Sequence, residues 1–155
     1  MRFALLTPGT IKHSFFAEAQ KEYLSRIQKF CTFDIREISE EKLTKNTSEE
    51  VTKKREAERL LSTFPNRSTV IALDERGKEF SAQEFSHFLD KLLLDGKDAF
   101  FCMGGANGLD ASILEKANTV ISFGKMTLTQ DLARIVFLET MFRGFSILKN
   151  LPFHR

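Results

Sequence analysis

The chain has no tryptophan, one tyrosine (Tyr23), two cysteines, three prolines and three histidines among 155 residues. Each scarcity excludes something. Two cysteines cannot build a disulfide scaffold, and Cys31 and Cys102 sit inside apolar runs, so they read as buried free thiols. Three scattered histidines beside them give no zinc spacing, so no metal site is expected. No apolar run is long enough and free enough of charge to span a bilayer; the longest candidates are broken by Arg134, Glu139 and Arg143. The opening Met1–Pro8 run stops too soon for a signal peptide, and a cytoplasmic protein without membrane contact is expected.

What is present is a composition that folds. Apolar residues make up 42% and charged residues 28%, the balance of one globular domain over residues 1–155. Sixteen phenylalanines carry almost all the aromatic mass, which assigns most of it to the core. Charge is unevenly placed. Residues 125–155 hold five basic and two acidic side chains, while the rest of the chain is slightly acidic. A basic end can meet phosphate, although a solvated helix face gives the same count.

Patterning predicts strands alternating with helices. Arg2–Thr7, Phe30–Ile38, Ser68–Leu73, Ala99–Met103 and Thr119–Ser122 read as strands. Helices are expected from Ser14 as a cap, from a Thr47/Glu50 capping box to about Phe64, and from a Ser81/Glu84 capping box to Leu94. Further helices are expected from about Asp110 and over Gln130–Leu148. Asp74–Lys78 reads as a turn and residues 39–50 as a loop. Such alternation implies an α/β fold, a mostly parallel sheet with helices on both faces. Ligands of such sheets bind beyond the carboxyl ends of the strands, here Leu73-Asp74, Gly104-Gly105 and Phe123–Leu128.

Gly104-Gly105-Ala106-Asn107-Gly108 follows a strand and opens a helix, so its amides can face a ligand, or it is a tight turn and no more. It matches neither the dinucleotide fingerprint nor the P-loop. The apolar loop Phe123-Gly124-Lys125-Met126-Thr127-Leu128 must pack on something: core, a flat apolar ligand, or a second subunit. No nucleophile–base set follows from spacing.

The ordered set Met103–Leu109, Ser122–Thr127, Arg134, Glu139–Gly144 and terminal Phe153-His154-Arg155 resembles the ribosomal large subunit methyltransferase H family over the whole chain. Phe3–Thr10 and Ile71–Asp74 also fit. The resemblance implies a SPOUT-like α/β knot, with a C-terminal trefoil knot and a homodimer. It implies an enzyme using S-adenosylmethionine to methylate N3 of a pseudouridine in helix 69 of 23S rRNA within the 70S ribosome. It implies a cofactor site at Leu73, Gly104, Gly105, Phe123, Gly124, Lys125, Met126, Thr127 and Leu128, and catalytic roles for His154, Arg134 and Arg155. Gln130, Phe142 and Phe153 stand where the family usually has His, Tyr and Tyr. A non-catalytic ribosome-binding relative, or a SPOUT methyltransferase acting on tRNA, are the alternatives.

Overall fold

The computed structural model describes residues 1–42, 44 and 47–152. In chain order the elements are β1 (Phe3–Pro8), α1 (Ser14–Ile27), β2 (Phe33–Ile38), α2 (Glu49–Thr63), β3 (Thr69–Glu79), α3 (Ala82–Asp95), β4 (Ala99–Met103), α4 (Ala111–Lys116), β5 (Thr119–Ser122) and α5 (Gln130–Leu148). The strands form one sheet in the order β2-β1-β4-β3-β5, and every pairing is parallel.

Alternate residues of the central strands feed two cores. Phe3, Leu5, Ile71, Leu73, Phe101 and Met103 face Ile27 of α1, Phe85 and Leu89 of α3, and Phe137, Leu138, Met141 and Phe145 of α5. Ala4, Leu6, Val70, Ala72, Phe100 and Cys102 face Ala57 and Leu60 of α2 and Ile113 of α4. Both faces are therefore covered, which is why β1 and β4 read as continuous apolar runs rather than alternating ones. Fully burying one such Leu or Phe is worth about 1.5–3 kcal/mol.

Several local expectations are corrected. The cap of α1 is His13, with no side-chain cap bond, rather than Ser14, which is already helical. The cap of α2 is Ser48, whose Oγ accepts from the Val51 N–H; Thr47 instead closes a turn with Thr44. The Ser81/Glu84 box is present in both directions, and Phe80 meets Phe85 edge-on at 6.4 Å. β2 begins at Phe33 because Phe30 and Cys31 still bond back to Ile27 and close α1.

The expected turn at Asp74–Lys78 belongs to β3, which continues to Glu79. Ile121 pairs with Leu73 and again with Lys78. A strand residue offers one partner position on each edge. Residues 74–77 therefore carry β3 across β5, from one edge to the other. At Gly77 a Cβ atom would stand 2.6 Å from the backbone of Ile121, so only glycine fits the crossing.

Candidate cofactor cleft

Strands β4 and β5 end level with the middle of β3, which brings Gly104, Leu73 and Phe123 together. A cavity of about 1000 Å³ opens there. Every cofactor residue picked from the sequence lines it except Lys125, which is exposed beside it.

The floor is main chain. After β4 the chain doubles back: Gly105 and Gly108 form an antiparallel bridge, with the Gly108 N–H donating to the Gly105 carbonyl at 3.0 Å. A Cβ at Gly104 would lie 2.3 Å from the Gly108 carbonyl carbon, so the two strands of this turn can close only around glycine. Opposite, the Ser122 hydroxyl accepts from the Gly124 N–H at 3.0 Å and donates to the Gly124 carbonyl at 3.2 Å. That turn requires φ +111° at Gly124, a backbone conformation open to glycine. Main-chain walls of this kind present amides and carbonyls at fixed positions, which suits a ligand with both donors and acceptors.

The mouth is charged. Asp74 lies at the end of the Leu73 run, and its carboxylate accepts from Arg76 Nε at 2.7 Å and Nη2 at 2.9 Å. The Arg76 guanidinium holds the Asp74 carboxyl below its ordinary range. Glu49 and Lys53 of α2 face the same opening. The sequence placed Asp74 in a turn at the ligand edge of the sheet, and did not single out Lys53 or Glu49. Gln130 was noted only as a departure, yet it lines the cavity; it heads α5, and a polar residue opening an apolar helix was the available signal.

Arg134 does not face the cleft. Its side chain is 0% exposed, salt-bridged to Glu37 at 2.6 Å, and donates to the Gly9 carbonyl at 2.9 Å and to Gln20 Oε1 at 3.3 Å. The guanidinium has no surface from which to meet a phosphate or a base, which corrects the contact role expected for it. With Gln130, which donates to Thr7 Oγ1 and the Pro8 carbonyl, and Asp131, which accepts from the Lys12 N–H, it fastens α5 to the turn after β1. His154 and Arg155 lie outside the described residues. Among the described residues no group of side chains is arranged to hold a metal ion, and no helix is long and apolar enough to cross a membrane.

The family described as predicted SPOUT methyltransferase matches residues 1–154, and the chain belongs to it. Ribosomal RNA large subunit methyltransferase H of Clostridium acetobutylicum is 36% identical over the full length of both chains, and that of Streptococcus uberis likewise. The enzyme of that name from Caldicellulosiruptor saccharolyticus is 37% identical over 95% of this chain and 96% of its own. Among solved structures, a probable methylase family protein from Haemophilus influenzae superposes with a TM-score of 0.56 at 11% identity. It covers 99% of this chain and 70% of that one. A putative methyltransferase from Legionella pneumophila, solved with bound SAM, gives 0.50 at 10% identity over 91% of this chain and 65% of that one. These two show a shared fold.

Proposed function

We propose that the chain is an S-adenosylmethionine-dependent methyltransferase of large-subunit ribosomal RNA, acting on N3 of the helix-69 pseudouridine in the assembled 70S ribosome. One observation carries the reading. Residues drawn from the ends of β4 and β5 and from the middle of β3 close around a single cavity whose volume, about 1000 Å³, leaves ample room for a nucleoside-sized cofactor.

The residues present fit that cofactor. Main-chain groups at Leu73, Gly104-Gly105 and Phe123–Leu128 would hold it, with Leu73, Leu109 and Leu128 supplying apolar wall. When bound, it supplies a methyl group already activated on a sulfonium. The protein's part is then to position the acceptor, exclude water and remove the N3 proton. His154 is assigned to that proton and Arg155 to the charge left on the adjacent carbonyls, both from the tail. Phe153 offers a ring for a base to stack on, worth about 1–3 kcal/mol. Arg134 acts on neither reactant; it holds the turn after β1.

A homodimer is part of the proposal. Met126 in the apolar loop is 86% exposed, and Leu132 on α5 is 38% exposed, so the covering expected for that loop is not supplied by this chain alone. The knot is supported by the passage of residues 74–77 across β5. Cytoplasmic location follows from the substrate.

The test is methyl transfer from labelled S-adenosylmethionine to ribosomes lacking the modification, compared with separate subunits, naked rRNA and tRNA, and mapped by mass spectrometry. Transfer to helix 69 in intact ribosomes is expected. A folded dimer that binds the cofactor but transfers to none of them would sink the assignment. His154→Ala should abolish transfer while leaving cofactor binding intact.

A further inference from the structure

Glu56 is a buried carboxylate that methyl transfer does not use. It lies in the middle of α2 and is 5% exposed. Among the described residues it forms no ion pair. Its Oε1 accepts from the Glu41 N–H at 3.0 Å. Its Oε2 faces the cleft loop so closely that a Cβ at Gly105 would stand 2.8 Å from it. The carboxylate is thus wedged between two pieces of main chain, the segment before α2 and the back of the glycine turn.

The same helix secures that segment further. Arg59 donates to the Ser39 carbonyl at 2.8 Å and to Glu41 Oε2 at 2.6 Å, and Arg55 donates to Glu41 Oε1 at 2.7 Å. A second cavity of about 320 Å³ lies beside Glu56, lined also by Lys12, Glu40, Lys42 and Thr52. Ala106 and Asn107 line both cavities, so the glycine turn is a thin partition with the cofactor cleft on one side and Glu56 on the other. An ionisable group buried in mid-helix costs stability, and burial pushes the Glu56 carboxyl above its ordinary range, against the lowering effect of the Glu41 N–H bond and of Arg59, with the Glu40 and Glu41 charges adding to the rise. A costly group of this kind is retained where it does something that an apolar residue would not.

We propose that Glu56 is a positioning residue for the cofactor: it braces the Gly104–Gly108 turn from behind and ties it to the Ser39–Glu41 segment. The proposal rests on the reading of the larger cavity as the S-adenosylmethionine site. A side chain lacking the oxygens lets the turn relax away from the cofactor. A glutamine keeps both the shape and the acceptor for the Glu41 N–H.

The test is calorimetric titration with S-adenosylmethionine, run beside thermal melts and steady-state kinetics. Glu56→Ala should weaken cofactor binding about tenfold, and Glu56→Gln should stay within about threefold of the parent. The Ala variant should raise KM for the cofactor more than it lowers kcat. Gly105 has no positive φ, so Gly105→Ala is strained only by the carboxylate behind it. Its cost in affinity should shrink when combined with Glu56→Asp, which withdraws the carboxylate by one methylene. Should Glu56→Ala fail to fold, this pair decides: equal cost in both backgrounds overturns the proposal. So does a folded Glu56→Ala with parental affinity. Thr127→Trp, placed on the facing wall, checks the cleft itself. If that variant binds like the parent, the cavity is not the cofactor site; if it loses binding while Glu56→Ala does not, only the brace is wrong.

Discussion

At the scale of single residues, burial decides chemistry. Cys102 is fully buried and its thiol is pushed far up; Cys31, half-buried, is pushed up to about 12. Neither presents a thiolate near neutral pH. Alkylation of the native protein at pH 8, followed by mass spectrometry, should proceed far more slowly than in denaturant. Carboxylates of opposite environment give opposite pH dependence. Arg76 holds Asp74 low, so its contribution to stability is present above the ordinary carboxylate range and fades as pH falls through the depressed value. Glu56 is raised, chiefly by burial, so its contribution is full at acid pH and is lost as pH rises through the raised value. In thermal melts from pH 4 to 8, Glu56→Gln should gain on the parent as pH increases. A gap that closes instead would contradict the assigned burial. Arg134 is the strictest case. Removing Glu37 leaves a buried guanidinium without its counter-charge, and Glu37→Ala should lower stability by about 2–4 kcal/mol in denaturant titration.

Among the elements, α5 packs against both α1 and α3 on one face of the sheet. It is apolar on nearly every side: Phe137, Leu138, Met141 and Phe145 enter the core, while Leu132, Ile135 and Val136 keep surface. Its inner face lies so close to α3 that a Cβ on Gly144 would stand 2.7 Å from Leu89 and 2.9 Å from Phe85. Gly144→Val should cost about 1–3 kcal/mol by overpacking, read as a lower melting temperature. On the outer face, which the proposed homodimer would cover, Leu132→Glu should shift sedimentation from dimer toward monomer without loss of helix. Most elements were legible in the sequence because local signals agreed with the fold. The Ser81/Glu84 box and the α5 bounds needed no tertiary information. The tail of β3 did, because Asp74-Glu75-Arg76-Gly77-Lys78 has turn composition and is held extended only by β5, more than forty residues away in sequence. The Ser48 cap was misplaced by one position because Thr47 and Ser48 are chemically alike. The cleft itself was legible because two strand ends, those of β4 and β5, carry its glycines and apolar loop. The α2 side of its rim and the proposed brace were not, since Lys53 and Glu56 acquire meaning only from neighbours distant in sequence.

For the whole molecule, the sheet order β2-β1-β4-β3-β5 places the first strand near the centre, so nearly every pairing joins distant parts of the chain. Folding of such a topology is slow. The crossing of β3 over β5 adds a mechanical asymmetry. In the proposed knot, traction on the last residues would haul β5 against the strap of chain at Gly77 and cinch it, whereas traction on the first residues would strip β1 out of the sheet's interior. Resistance to forced unfolding is set by the barrier along the direction of pull. A processive unfoldase given a degradation tag at the C-terminus should stall on this protein, and the same motor given the tag at the N-terminus should run through it.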